Sequence, residues 1–564
     1  MTRVLKNLRI MSLMTGEYIP ADLLIRNSKI ESILPPGTAQ GENITDCSGK
    51  TAVYGFADAH FHAESTMLTL PRLAEVLLQH GTTAIYINPH EIANVGGIPA
   101  LREMLNECRA LPLRIYIVAP CKVPTVPLLE TSGAEVGLQE LREMLCWPET
   151  VGIGELDAFK LLSDEPRFRS YIEESQKRGL KICGSISGFS GAELKKCIAA
   201  GITDDHESVT GEEALEKLRL GCCVHVREGS AEHNLRSVMS VLRNYPSGYG
   251  QICFCCDDRT ASDLLQEGHI DHCIRESIRQ GLDPFWAYRM GSSNPAAYYH
   301  QEERFGLIAP GKIADLVLVD DVQSVHITDV FSSGMQVVRD GELIWHADAC
   351  RHPSERTIVW PENLTEKDLR VPSRSGNQAL VNLAEIMECQ IGTRLRQTRL
   401  PVSDGTVLAE GAVEYYSLAE RYRGKKTVVN GFLSGFGLKR GAIAQSINHD
   451  NHHLVSVGKD RADMALALNR VAEIGGGIVL ALEGRIIGEL QLPYWGLLTD
   501  LPAEETATQL RHLRKLAGML GYDGASDPFS LLSLIALPVI PEAGFTDQGM
   551  IDVRNQRVIP VVIS

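Results

Sequence analysis

Tyr54-Gly55-Phe56-Ala57-Asp58-Ala59-His60-Phe61-His62-Ala63-Glu64-Ser65 is the stretch from which the fold is read. The preceding run, Thr51-Ala52-Val53-Tyr54, is short, apolar and β-rich, and Gly55 loosens the backbone before the His-x-His pair. Side chains two apart on an extended segment share a face, so His60 and His62 can reach one cation from a strand end. Neutral imidazole is a common ligand for zinc, iron or manganese-like ions. Taken alone, the pair fits a metal site and a surface or core pair equally well.

At 564 residues the chain is too long for one core, so two or three domains are expected, and a 44% hydrophobic content is ample to bury them. A net charge of −16 and no outstanding Lys/Arg cluster argue against a nucleic-acid or anionic-membrane surface and favour a small-molecule partner. The start, Met1-Thr2-Arg3-Val4-Leu5-Lys6, lacks a long apolar h-region, and no run of about eighteen apolar residues occurs, so a cytoplasmic protein is expected. The 14 cysteines are scattered, without paired Cys-x-x-Cys spacing, and read as reduced, mostly buried thiols.

Outward from the histidines, residues 4–53 alternate strand-like pieces with turns, and matching pieces return at Gly311–Val319 and Gln336–Ile344. One small β-domain, 1–53 with 305–365, is expected to flank a catalytic domain at 54–304. Inside it, eight apolar runs alternate with amphipathic helical stretches. The runs are the one ending at His60, then 82–87, 114–118, 151–154, 181–184, 202–205, 222–226 and 251–256. About 250 residues with eight βα units predict an α/β fold of the (β/α)8 TIM-barrel type, whose active groups lie where strands end. Those ends carry Glu155, His206, Arg227-Glu228 and Asp257-Asp258, which with His60 and His62 point to a metal site.

A Pro- and charge-rich stretch from Arg351-His352-Pro353-Ser354-Glu355 to Val371-Pro372-Ser373 predicts a linker to a C-terminal α/β domain, 375–564. That domain mixes apolar runs at 427–432 and 477–482 with helices at 460–474 and 503–520. Gly475-Gly476-Gly477 follows a helix and precedes a strand, which predicts a helix stop and not a phosphate-binding loop. His449-Asp450-Asn451-His452-His453 has enough imidazoles for a further metal site, with solvated loop histidines the preferred expectation.

The chain resembles the amidohydrolase superfamily and, within it, the bacterial adenine deaminases. The resemblance runs over nearly the whole length and is carried by 55–65, Pro89-His90-Glu91-Ile92-Ala93-Asn94-Val95, Asp205-His206-Glu207-Ser208, Arg227-Glu228-Gly229-Ser230 and Asp257-Asp258-Arg259. The segments 267–271, 435–441 and 449–453 also look like that family. The resemblance implies His60 and His62 on a first metal, Glu155 bridging two metals, His206 on the second, and Asp257 combining ligation with proton transfer. It implies a divalent transition metal, Mn or Fe with Zn as an alternative, at one or two ions per chain. Asp258 would contact the purine, and Arg227 and Glu228 would line the pocket, against a buried salt bridge as the competing reading. His90 and Glu91 would stand near the site, against a structural cap. The implied reaction is hydrolysis of adenine to hypoxanthine and ammonia in a chain that admits a homo-oligomer.

One departure bears on that expectation. The family places a histidine ligand after the fifth strand, and here the chain reads Cys183-Gly184-Ser185. A serine hydroxyl is a poor ligand for a borderline transition metal. The expected outcomes are a one-metal deaminase, a two-metal enzyme in which a group such as His225 or Cys183 substitutes, or a purine-binding paralogue without turnover. Another aminopurine or a cyclic amide is the alternative substrate.

Overall fold

A computed structural model describes residues 2–163, 165–350, 357–387, 392–539 and 542–564. Positions 351–356 of the linker expected from sequence lie outside them. The chain divides into two compact units. The first comprises Met1–Pro89, Met104–Cys121 and Gly137–Cys350, and the second His90–Glu103, Lys122–Val136 and Arg351–Ser564.

In the first unit a nine-stranded sheet joins the early strands to later ones. Thr51–Tyr54 pairs in parallel with Thr2–Ser12 on one side and antiparallel with Leu316–Asp321 on the other, with Tyr54 opposite Leu316. Two residues after Tyr54, at Phe56, the backbone is already in the barrel. Gly55 permits that passage, because a β-carbon there would fall 2.2 Å from Thr83 Oγ1.

Eight parallel strands form the barrel: β1 (Phe56–Phe61), β2 (Thr82–Ile87), β3 (Arg114–Pro120), β4 (Thr150–Asp157), β5 (Lys181–Ser185), β6 (Asp204–Asp205), β7 (Cys223–Arg227) and β8 (Ile252–Cys255). β1 and β2 are buried along their whole length, as strands covered on both faces must be. The seam between β8 and β1 closes just past the end of β8. There the Asp257 amide donates to His60 O and the His62 amide to Asp257 O, both at 3.0 Å. Asp58 reinforces the seam by accepting from the His60 amide at 3.0 Å and the Cys256 amide at 3.1 Å. Side chains that sequence reading treated as a metal pair are therefore anchored by the backbone bonds that close the barrel.

The second unit is built on another nine-stranded sheet. All its pairings are antiparallel except that of Gln378–Ile386 with Val428–Ser434. The helix Arg461–Glu473 buries Met464, Leu468 and Val471, and the Asp460 carboxylate caps its start by accepting from the Asp463 amide at 2.9 Å. It ends at Gly475-Gly476-Gly477, whose φ values of 81°, 120° and 144° suit glycine and lead directly into Gly477–Leu482. Among the described residues no helix is long and apolar enough to cross a membrane. The 13 described cysteines are all free, and 11 of them are buried.

Candidate metal centre

At the C-terminal end of the barrel, β1 delivers His60 and His62, β4 delivers Glu155, and the turn after β8 delivers Asp257. Their ligand atoms all lie within 4.8 Å of one another. Glu155 Oε1 stands 3.1 Å from His60 Nε2 and 2.9 Å from His62 Nε2. Asp257 Oδ1 stands 3.4 Å and 3.3 Å from the same two nitrogens. The two Nε2 atoms are themselves 3.3 Å apart. Two ring nitrogens and two carboxylate oxygens thus face one point.

His206, after β6, is the fifth member. Its ring stacks on that of His60 at 3.8 Å between centroids, and its Nε2 lies 3.6 Å from Glu155 Oε1. The ring is buried and its Nδ1 has no hydrogen-bond partner. Burial, reinforced by the charge of His60, pulls its pKa down to about 3, so the imidazole is neutral as a metal ligand must be. His60 shows the opposite balance: burial opposes its charge, but Asp257 and Glu155 outweigh burial and raise it to about 9. Two carboxylates next to imidazoles form a set that a divalent cation satisfies. The set of two imidazoles and two carboxylates fits such an ion on its chemistry.

Asp257 is held from several directions. Its φ of 56° is in the left-handed region, a conformation costing about 1–2 kcal/mol for a residue with a β-carbon. The Arg227 guanidinium meets its second oxygen, Nη1 to Oδ2 at 2.7 Å, while Arg227 Nε donates to Asn234 Oδ1 at 3.0 Å. Burial opposes the charge of Asp257, but the hydrogen bond with His60 and the charge of Arg227 hold its pKa well below the usual range. The salt bridge entertained for Arg227 at the sequence level is present, and its partner is the site carboxylate. Glu228 accepts from the Leu235 amide at 3.0 Å and from His233 at 3.1 Å, which fixes the loop after β7. Asp258 is exposed and receives a hydrogen bond from the Ser65 hydroxyl.

Ser185 ends β5, and its hydroxyl donates to Glu207 Oε2 at 2.8 Å. Burial and the neighbouring Glu155 and Asp205 push the Glu207 carboxyl up to about 7. His225, considered a replacement ligand, lies elsewhere: its ring groups with Cys223 and Cys253 in the barrel interior. Cys183 is also turned inward, with its thiol 3.7 Å from the Tyr299 hydroxyl.

His90 and Glu91 belong to the second unit, where they meet the 449–453 segment. His90 Nε2 is 3.5 Å from Asp450 Oδ2, and Glu91 pairs with both His449 and His452. The expectation of solvated histidines there is overturned, since His452 and His453 are fully buried and His449 half-buried. A metal reading is disfavoured by the hydrogen bonds: the Asn448 amide donates to His452 Nδ1 at 3.2 Å, so the neutral ring carries its proton on Nε2 and donates it to Glu91.

Sequence reading missed the Asp58–His269 pair behind the site, 2.9 Å from Oδ2 to Nε2. His269 is anchored in turn by Thr82, 2.8 Å from its Nδ1. An aspartate two residues before His60 was a signal, but its partner lies on a helical segment more than two hundred positions away.

Residues 51–342 match the amidohydrolase family, and residues 390–557 match the adenine deaminase C-terminal domain. The chain is 37% identical over 563 residues to an adenine deaminase of Desulforamulus reducens, covering 99% of this chain and 95% of the relative. It belongs to the amidohydrolase family, in the adenine deaminase branch. An adenine deaminase of Bacillus licheniformis is 36% identical over 562 residues, covering 99% of this chain and 96% of the relative. That of Moorella thermoacetica is 34% identical over 570 residues, at 99% and 95% coverage. Among solved structures, a β-aspartyl dipeptidase from Fervidobacterium islandicum covers 61% of this chain and 98% of its own, at 16% identity and a TM-score of 0.46. Amidohydrolase membership implies a divalent metal, for which the His60, His62, Glu155 and Asp257 cluster is the candidate seat.

Proposed function

We propose that this chain hydrolyses adenine to hypoxanthine and ammonia. The observation that carries the reading is the convergence of His60, His62, Glu155 and Asp257 in a chain whose full length aligns with adenine deaminases. His60, His62, Glu155 and Asp257, with His206 beside them, would hold the ion, for which Mn or Fe is proposed, with Zn as the alternative. When bound, the cation supplies Lewis-acid chemistry, stabilising the ionised form of water near neutral pH.

Asp257 has the proton-transfer role. Its carboxylate is anionic, and Arg227 fixes one oxygen so that the other faces the histidines. As the C6–O bond forms, Asp257 takes a proton from the attacking water; as the C6–N bond breaks, it returns that proton to the departing amine. Adenine and water thereby become hypoxanthine and ammonia. Glu155 orients both imidazoles, and Arg227 acts through Asp257 as a positioning residue. Asp258, steadied by Ser65, is the residue proposed to meet the purine, and Glu228 shapes the same loop. Roles for His90 and Glu91 toward the purine rest on the sequence match alone. The same reading includes three domains (1–53 with 305–365, 54–304 and 375–564), a cytoplasmic location and a homo-oligomer.

Ser185 favours a second reading, a purine-binding protein without turnover. A panel of adenine, other 6-aminopurines and cyclic amides, assayed for ammonia with Mn-loaded protein, separates the two. Turnover of adenine above the rest supports the proposal; purine binding with no product from any substrate overturns it.

A further inference from the structure

Inside the barrel, on the β7–β8 pair whose ends carry Arg227 and Asp257, Cys223, His225 and Cys253 form a separate cluster. β7 and β8 run in parallel with His225 opposite Cys253. Cys223 and His225 are two apart on β7 and share its inward face. All three are at most 1% exposed, and their ligand atoms lie within 4.8 Å of one another.

Two observations go beyond proximity. Both ring nitrogens of His225 are buried and meet no nitrogen or oxygen partner among the described residues; the polar group that acts on the ring is the Cys223 thiol, a member of the same cluster. The neighbouring rings do not supply one. Tyr298 stands edge-on at 5.0 Å, but its hydroxyl donates to Asp204, and the Tyr299 hydroxyl donates to Ala59 O. The second observation is the sulfur spacing: Cys223 Sγ and Cys253 Sγ are 4.0 Å apart. Two sulfurs bound at about 2.3 Å to one tetrahedral ion lie about 3.8 Å from each other.

We propose that Cys223, His225 and Cys253 bind a thiophilic transition cation of the Zn2+ class, at a site distinct from the His60–Asp257 centre. The two donor sets sort cations by softness. Two sulfurs and an imidazole suit Zn2+ or a softer ion, whereas the His/Glu/Asp set with its hard oxygens also suits Mn2+ or Fe2+. Binding releases the two thiol protons to solvent, and two thiolates then neutralise a divalent ion, which removes the charge penalty of burial. The bound ion would tie β7 to β8, from whose ends Arg227 and Asp257 project.

The test uses full-length protein produced in Co2+-supplemented, zinc-depleted medium. A sulfur-to-cobalt charge-transfer band is expected in the near ultraviolet, accompanied by a loss of one metal per chain in Cys223→Ser and in Cys253→Ser. X-ray absorption on Zn-loaded wild-type protein needs no variant, and a sulfur shell at about 2.3 Å is expected. Absence of the band and a shell of nitrogen and oxygen alone would overturn the proposal, as would a band that both variants retain. None of these readouts depends on deaminase activity.

Discussion

Arg227 Nη1 lies 2.7 Å from Asp257 Oδ2, and the other oxygen of that carboxylate faces His60 and His62. One aspartate thus joins a guanidinium on one side to the candidate metal centre on the other. Asp257→Asn keeps the shape and removes the proton-accepting charge. Its kcat for ammonia release is expected to fall about 100- to 10,000-fold, with the folded state retained by circular dichroism. Unchanged turnover would remove Asp257 from the chemistry.

The same pair sets a pH dependence. Burial works to raise the pKa of Asp257, and Arg227 is among the groups holding it down. In Arg227→Met the carboxylate protonates more readily, so the acid limb of the kcat/KM profile moves to higher pH. Arg227→Lys, which keeps the charge but not the fork to Asn234, is expected to recover part of the shift. A limb that stays in place in both variants would leave Arg227 a purely structural role.

Metal loading competes with protons at His60. Without a cation its pKa is raised to about 9: burial opposes the charge, and the carboxylates of Asp257 and Glu155 overcome that opposition. A ligand nitrogen must be unprotonated, so apparent affinity should strengthen as pH rises toward that value and weaken below it. Titration calorimetry in buffers of different ionisation enthalpy reads the protons released. An affinity independent of pH would contradict the ligand role of His60.

Glu414 in the second unit offers a test of stability alone. It is 1% exposed, and burial raises its pKa to about 7 despite opposition from Lys459. A carboxyl raised on folding stabilises fully below its unfolded value and loses that contribution as pH rises through the folded one. The loss is on the order of 3 kcal/mol between the two values. Glu414→Gln should therefore raise the thermal midpoint at about pH 8 and change little at about pH 4.5. Equal midpoints at both pH values would show that the carboxyl is not so perturbed.

What the sequence disclosed depended on the range of the interaction. His60 and His62 share a face by strand periodicity, Glu155 stands near the end of β4, and His206 and Asp257 follow strand ends, so local pattern pointed to the set. Register and long-range burial were not visible in that way. His225 lies opposite Cys253 because of how β7 aligns with β8, and the pattern of one strand does not reveal its neighbour's offset. His452 is buried by Glu91, a residue 361 positions away, so its loop composition suggested solvent. Arg227 could be read as lining a pocket or as forming a salt bridge; only the backbone turn at Asp257 identifies the bridge and its partner.

The most direct measurement is hypoxanthine formation from adenine by protein stripped of metal and then reloaded with Mn2+, followed alongside ammonia release in wild type and in His60→Ala. The expected result is no product from stripped protein, restored turnover with equimolar hypoxanthine and ammonia in the wild type, and none in His60→Ala. Reloaded wild-type protein that binds the metal but leaves adenine unchanged would contradict the assignment of adenine hydrolysis to this centre.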